Sequence, residues 1–326
     1  MRRAILPSTF ALLAVGGFVY SQRARFQTVG RTEEGGFLLN TGWRIRPAGK
    51  SIPLSTLPMS DALATDGRVL AILNGGYMPS SVSLVDLEAA RESARVTITD
   101  GWRGLAFSPT DGKLYAGDGA RGFLTQFTVT GGNLSIDRKI DLYLGEVPGT
   151  PHLISDIVPG RGSLLVADGE QDKVLVVDPA QGRVLRSIPV ARNPYSMLVS
   201  VDGASVFVSS WSTGQIVEYR LSDGKEMTRT RVGAHPTEML WLPPSRPRAG
   251  DHDDDGPGGA GPRLAVACAN TNFVYVLANR SGSWRVEEKI NVALTPRQPV
   301  GMTPSSLSPS VRISAVCSWR APTPMR

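Results

Sequence analysis

Cysteine and histidine are the scarcest reactive residues in this chain of 326 residues, with two of the first, Cys268 and Cys317, and three of the second. Two widely separated cysteines make neither a disulfide framework nor a zinc-ligand spacing, and three histidines leave little for a multi-histidine metal centre. Aromatic residues are only 7% of the chain. It holds no Cys-x-x-Cys-His haem attachment, no glycine-rich phosphate loop and no serine nucleophile elbow. Lys and Arg outnumber Asp and Glu by 35 to 29, a net charge of +6. That excess is scattered rather than gathered on a basic helix interleaved with aromatics, so no nucleic-acid partner is expected. No cofactor is expected either.

Glycine and proline are abundant instead, 35 and 24 residues. A chain so rich in turn residues suits many short strands, and all-β architectures of this length occur as single domains. Met1-Arg2-Arg3 followed by an apolar run from Ala4 to Val19 reads as an export signal, residues 1–21, with an uncleaved N-terminal anchor as the alternative. Either way the rest of the chain is expected outside the cytoplasm, periplasmic or extracellular, touching a membrane only through that segment. Residues 22–57 form an irregular extension. Its Gly36 to Ile45 and Ile52 to Leu57 segments look like short strands that could close the first repeat.

From Pro58 a unit recurs. Alternating apolar and polar residues make a leading strand, Asp-Gly makes a tight turn, a strongly apolar second strand follows, and a third strand ends in a polar or acidic tail. Asn193 to Gly224 shows the unit whole. The equivalent turns begin at Asp66, Asp111, Arg161 and Asp202, a spacing of roughly 40 to 50 residues, which marks propeller blades of four strands each. A fifth repeat from Pro236 is interrupted by a Pro/Gly/Asp-rich insertion, residues 243–262. A sixth begins at Thr303 and dissolves after Leu307. Residues 308–326 form an aberrant tail whose codons, read in a shifted frame, can spell a segment similar to Val266-Ala267-Cys268-Ala269-Asn270-Thr271-Asn272. A frameshift that ends the propeller early is therefore expected, leaving two sheet edges exposed.

His152 and His235 precede leading strands, where blade topology brings them to the channel mouth. They could hold a metal or polarise a substrate, or serve as hydrogen-bonded channel residues. With Tyr195 and Arg297 they form a candidate ligand rim; no catalytic residue and no metal ligand is assigned. Asp251 to Asp255 is oxygen-rich but lacks a calcium-loop spacing and reads as a solvated loop. Asp86 and Asp178 read as turn formers that accept backbone N–H bonds. Cys268 reads as a small buried strand residue.

Ser108-Pro109-Thr110-Asp111-Gly112, Leu84-Val85-Asp86 and Val176-Val177-Asp178 resemble the repeats of the YVTN or YncE-like β-propeller family. Thr41-Gly42-Trp43-Arg44-Ile45-Arg46-Pro47-Ala48-Gly49 and Ala293-Leu294-Thr295-Pro296-Arg297-Gln298-Pro299-Val300-Gly301 are similar to segments of exported bacterial proteins that join such a propeller to a phosphoesterase domain of the alkaline-phosphatase superfamily. The resemblance implies an all-β propeller over residues 58–307, with five blades and an incomplete sixth from a seven-bladed parent. It implies an exported binding or scaffold module with a small molecule or protein at its channel face. No phosphoesterase motif is visible in this chain. The alternative it carries is a lactonase-type hydrolase acting on a sugar lactone in the channel, although carboxylates look scarce at the blade entrances.

Overall fold

Asp-Gly turns set the register of the repeats. Gly67, Gly112, Gly162 and Gly203 all take φ near +70°, at 70°, 68°, 68° and 67°, which a side chain would strain. In three of these turns the aspartate oxygen accepts a backbone N–H two residues on: Asp66 from Arg68 at 2.9 Å, Asp111 from Lys113 at 3.0 Å and Asp202 from Ala204 at 3.0 Å. The computed structural model describes residues 28–293 except 34, 41, 47–49 and 244–260. The segment expected to direct export, most of the insertion with Asp251 to Asp255, Arg297, Cys317, the expected sixth repeat and the tail therefore lie outside the described residues.

The protein is all-β, a propeller of four-stranded antiparallel blades, with no helix among the described residues. Up to Ser51 the described chain belongs to one compact unit, and from Ile52 to another. The first unit holds a three-stranded sheet of β1 (Gly30–Arg31), β2 (Phe37–Leu38) and β3 (Arg44–Ile45). These three strands pair with one another; of the segment from Ile52 to Leu57, the Thr56 and Leu57 carbonyls accept from Gly76 and Gly75 N–H of the first blade at 3.1 and 3.0 Å.

Five blades make up the second unit. The first has β4 (Pro58–Leu63), β5 (Val69–Asn74), β6 (Ser81–Asp86) and β7 (Arg91–Thr97), and the second β8 (Leu105–Phe107), β9 (Leu114–Asp118), β10 (Phe123–Thr130) and β11 (Asn133–Asp141). The third has β12 (Ile154–Pro159), β13 (Leu164–Asp168), β14 (Lys173–Asp178) and β15 (Arg183–Pro189), and the fourth β16 (Pro194–Val199), β17 (Ser205–Ser210), β18 (Gln215–Arg220) and β19 (Glu226–Arg231). The fifth has β20 (Pro236–Leu242), β21 (Arg263–Cys268), β22 (Phe273–Arg280) and β23 (Ser283–Asn291). Strand order in every blade follows chain order, a plain meander. The insertion replaces the first turn of the fifth blade, whose flanking strands meet at Leu242 and Arg263.

Second strands carry the core because both of their faces are covered. Leu114 to Asp118 and Leu164 to Asp168 are buried at every position. Four apolar clusters follow, one between each pair of consecutive blades: Leu73 and Leu84 meet Leu114 and Phe127, Leu124 meets Ile154 and Leu164, Ala167 meets Met197 and Val206, and Phe207 meets Leu264 and Trp284. Each of the buried leucine, isoleucine, valine, methionine and phenylalanine side chains contributes about 1.5–3 kcal/mol on burial. Leading strands lie against leading strands, β4 with β8, β8 with β12, β12 with β16 and β16 with β20, so they form the inner wall.

On the faces turned away from these clusters, the first blade buries Ile72, Ser83 and Val85 and the fifth buries Ala267, Val274 and Val276. Asp86 and Asp178 do close turns, accepting from Ala89 at 2.8 Å and from Ala180 at 2.9 Å. Cys268 is fully buried in β21, and burial pushes its thiol pKa up to about 12.

Candidate ligand site at the leading end of the inner strands

Four of the five inner strands slip register once against their second strand: between Pro58 and Ser60, Ile154 and Asp156, Pro194 and Met197, and Pro236 and Met239. Such bulges re-aim side chains. Three of these strands start at a proline preceded by a residue in the left-handed region, Leu57 at φ 52°, Asn193 at 49° and His235 at 49°. That conformation is costly for leucine and milder for asparagine and histidine. Backbone groups freed by the slip are taken up by buried hydroxyls. Ser209 Oγ accepts from Ser196 N at 2.9 Å and donates to Thr237 O at 3.0 Å, and Ser155 Oγ donates to Pro194 O at 2.7 Å.

Arg103 stands just before β8 and is 7% exposed. Beside it Gly104 allows the strand to close on β12, because a Cβ there would lie 2.8 Å from Ile157 Cγ1. From the second blade the Arg103 side chain crosses to the fifth, where Nη2 bonds the Glu238 carboxylate. On the way its guanidinium lies over the Tyr195 ring of the fourth blade, 4.3 Å from the centroid. Asp156 of the third blade also acts on it. Burial opposes the charge on Arg103, but Tyr195, Asp156 and Glu238 outweigh it, and its pKa is raised. Burial likewise raises the pKa of Asp156, against the pull of Arg103 and of the Met197 and Ile157 N–H groups, which donate to it at 2.7 and 2.9 Å. On β4 the Asp61 carboxyl is raised too, by desolvation. Arg103 Nη1 is left buried with no hydrogen-bond partner among the described residues.

Behind Tyr195 the stack continues. Its ring lies 4.8 Å from that of Trp211, which stacks on His235 at 4.6 Å and 25°. His235 Nδ1 is a second buried nitrogen without a partner among the described residues. Two of the expected rim residues, Tyr195 and His235, therefore belong to one column, joined through Trp211.

His152 lies in a separate knot at the same end of the third blade. Its Nδ1 is 2.8 Å from Asp168 Oδ2, its ring stacks on Tyr143 at 3.9 Å, and its Nε2 lies 3.8 Å from Glu146. Tyr143 donates to Asp168 Oδ2 at 2.6 Å, while Asp168 Oδ1 accepts from the backbone of Leu153, Glu170 and Gln171 at 3.0, 3.0 and 3.2 Å. Burial first, then the Asp168 carboxylate, raises the Tyr143 hydroxyl's pKa. Among the described residues no group of three or more His, Cys, Asp and Glu is arranged to hold a metal ion.

Arg103, Trp211, Asp156 and Glu238 were not among the residues singled out by sequence, and the inner strands are richer in carboxylates than the sequence suggested. The signal available for Arg103 was its place in Trp102-Arg103-Gly104, just before a leading strand.

Fold and site define a β-propeller with a polar and aromatic node at one end of its inner wall. No protein-family model matches the chain, and no curated protein sequence matches it. Among solved structures it is similar in fold to a hydrazine synthase of Kuenenia stuttgartiensis, at 16% identity and a TM-score of 0.53 over 69% of this chain. The match spans 64% of the length of that hydrazine synthase chain. It is similar also to a functionally unknown protein from Desulfotomaculum acetoxidans, at 13% identity and a TM-score of 0.55 over 73% of this chain and 72% of that one. At such identities the likeness is one of fold, and a fold this widely shared does not name an activity.

Proposed function

We propose that this chain is an exported, YncE-like propeller that acts as a non-catalytic binding or scaffold module, engaging a small molecule or a protein at the leading end of its inner strands. The observation that carries this reading is Arg103, a buried guanidinium sent from the second blade to the fifth with one nitrogen left without a partner among the described residues. A buried side chain that reaches toward three other blades and stays incomplete among the described residues suits recognition better than packing alone. The segments flanking the propeller, like those of exported phosphoesterase-linked proteins, support a role beside such a domain, with any membrane contact confined to the N-terminal segment.

A lactonase-type reaction needs carboxylates open to a metal or a water. Here Asp156 gives its oxygens to Ile157 N and Met197 N, and Glu238 holds Arg103. The test is a metal analysis of the purified protein with a screen for sugar-lactone hydrolysis, alongside fractionation of expressing bacteria. The proposal expects no turnover and an exported product. Stoichiometric metal with turnover abolished by His152→Ala would overturn the non-catalytic reading, and a cytoplasmic product would overturn export.

A further inference from the structure

We propose that the Arg103 node receives a neutral, hydroxyl-rich ligand, a saccharide or polyol, one of whose oxygens accepts from Arg103 Nη1. This inference rests on reading the leading end of the inner strands as the ligand site.

Charge decides the class. Arg103 is one cation already paired with Glu238 and influenced by Asp156. An incoming carboxylate or phosphate would meet two acidic side chains around that one guanidinium, and like charges at such range oppose binding. A cation gains nothing from an unpaired N–H donor. What remains is a neutral oxygen. A hydroxyl fits better than a carbonyl because it can donate as well as accept, in a node where among the described residues Asp156 and Glu238 outnumber the one base.

The second unpaired nitrogen, His235 Nδ1, sits at the far end of the Tyr195–Trp211 stack from Arg103. Two unsatisfied groups separated by two aromatic rings suit a ligand carrying several polar groups on an apolar frame, as a sugar ring does. Trp102, next in the chain to Arg103, is 38% exposed, and Tyr77 in the turn between β5 and β6 at the same end of its blade is fully exposed. Such amphipathic rings offer faces for the C–H side of a sugar. Glu238, whose side chain is 27% exposed, marks the approach. The competing account is a single trapped water at Nη1.

Titration of the full chain with glucose, galactose and sorbitol, followed by tryptophan fluorescence and calorimetry, tests the class, with glucuronate as the anionic counterpart. The expected result is saturable binding of at least one neutral probe. Arg103→Lys, which keeps the charge and loses the planar fork, should weaken it by about tenfold or more per folded molecule. Preference for glucuronate, lost in Arg103→Lys, would overturn the neutral class while leaving the ligand site in place. Neutral binding that is indifferent to both Arg103→Lys and Trp102→Ala would overturn its location. If none of the probes binds, the nitrogen holds water only, and both the ligand class and the ligand site at this node fall.

Discussion

Two buried polar clusters stand at the same end of the blades, and they differ in completeness. In the third blade Asp168 is fully buried, and its two oxygens receive Tyr143, His152 and three backbone N–H groups. Around Arg103 the bonds reach across blades, yet one guanidinium nitrogen has no partner among the described residues. A saturated cluster fixes a loop, here the segment from Leu142 to Leu153 that links β11 to β12. An unsaturated one is costly to keep unless something completes it. On this contrast we propose Arg103, and not His152, as the ligand-facing residue.

The sharpest way to break this comparison is Asp168→Ala. It strands Tyr143, His152 and three N–H groups, and a loss of about 3–5 kcal/mol is expected, read as a drop of about 10 °C or more in melting temperature. Ligand binding at Arg103 should survive in whatever fraction remains folded. Tyr143→Phe removes one charge-assisted bond to Asp168 and should cost about 1.5–3 kcal/mol by denaturant titration.

Asp156→Asn probes the other cluster through pH. Because burial raises the folded-state pKa of Asp156 above the ordinary carboxylate value, its favourable contribution is present at low pH and is lost as pH rises through that raised pKa. The stability of the wild type relative to Asp156→Asn should therefore fall as pH rises above the ordinary carboxylate range, as followed by thermal melts at a series of pH values. A difference independent of pH would remove Asp156 from the titrating node. Least of all should come from the outer wall. Arg229 and Glu226 in β19 are both more than two-fifths exposed, and replacing the pair with alanines should change stability by less than about 1 kcal/mol in a double-mutant cycle.

Inner and outer strands also differ in how well the sequence announces them. Second strands such as Leu164 to Asp168 are covered on both faces and read as unbroken apolar runs, and Asp-Gly turns need a glycine wherever φ is positive. Blade number and spacing were legible for that reason. Fourth strands were not. Glu226 to Arg231 and Asn133 to Asp141 are largely exposed, with only one or two buried positions each, so they read as the polar tails of third strands.

The site was half legible. Placing His235 and Tyr195 at blade entrances followed from the repeat, but Arg103 meets Glu238 across 135 residues of chain, a pairing no local pattern encodes. The bulges add to the difficulty, since a one-residue slip in β16 and β20 turns side chains to a face that plain alternation would not assign. Asp156 and Glu238 were visible as strand residues, and their direction was not.

One variant tests the central claim most directly. Arg103→Lys should lower the melting temperature by less than Asp168→Ala does. Its affinity for a neutral saccharide should fall by about tenfold or more, because the ammonium keeps the charge near Glu238 without the second planar donor. A melting temperature lowered as far as by Asp168→Ala, with binding per folded molecule unchanged, would contradict the account and make Arg103 a structural latch between the second and fifth blades.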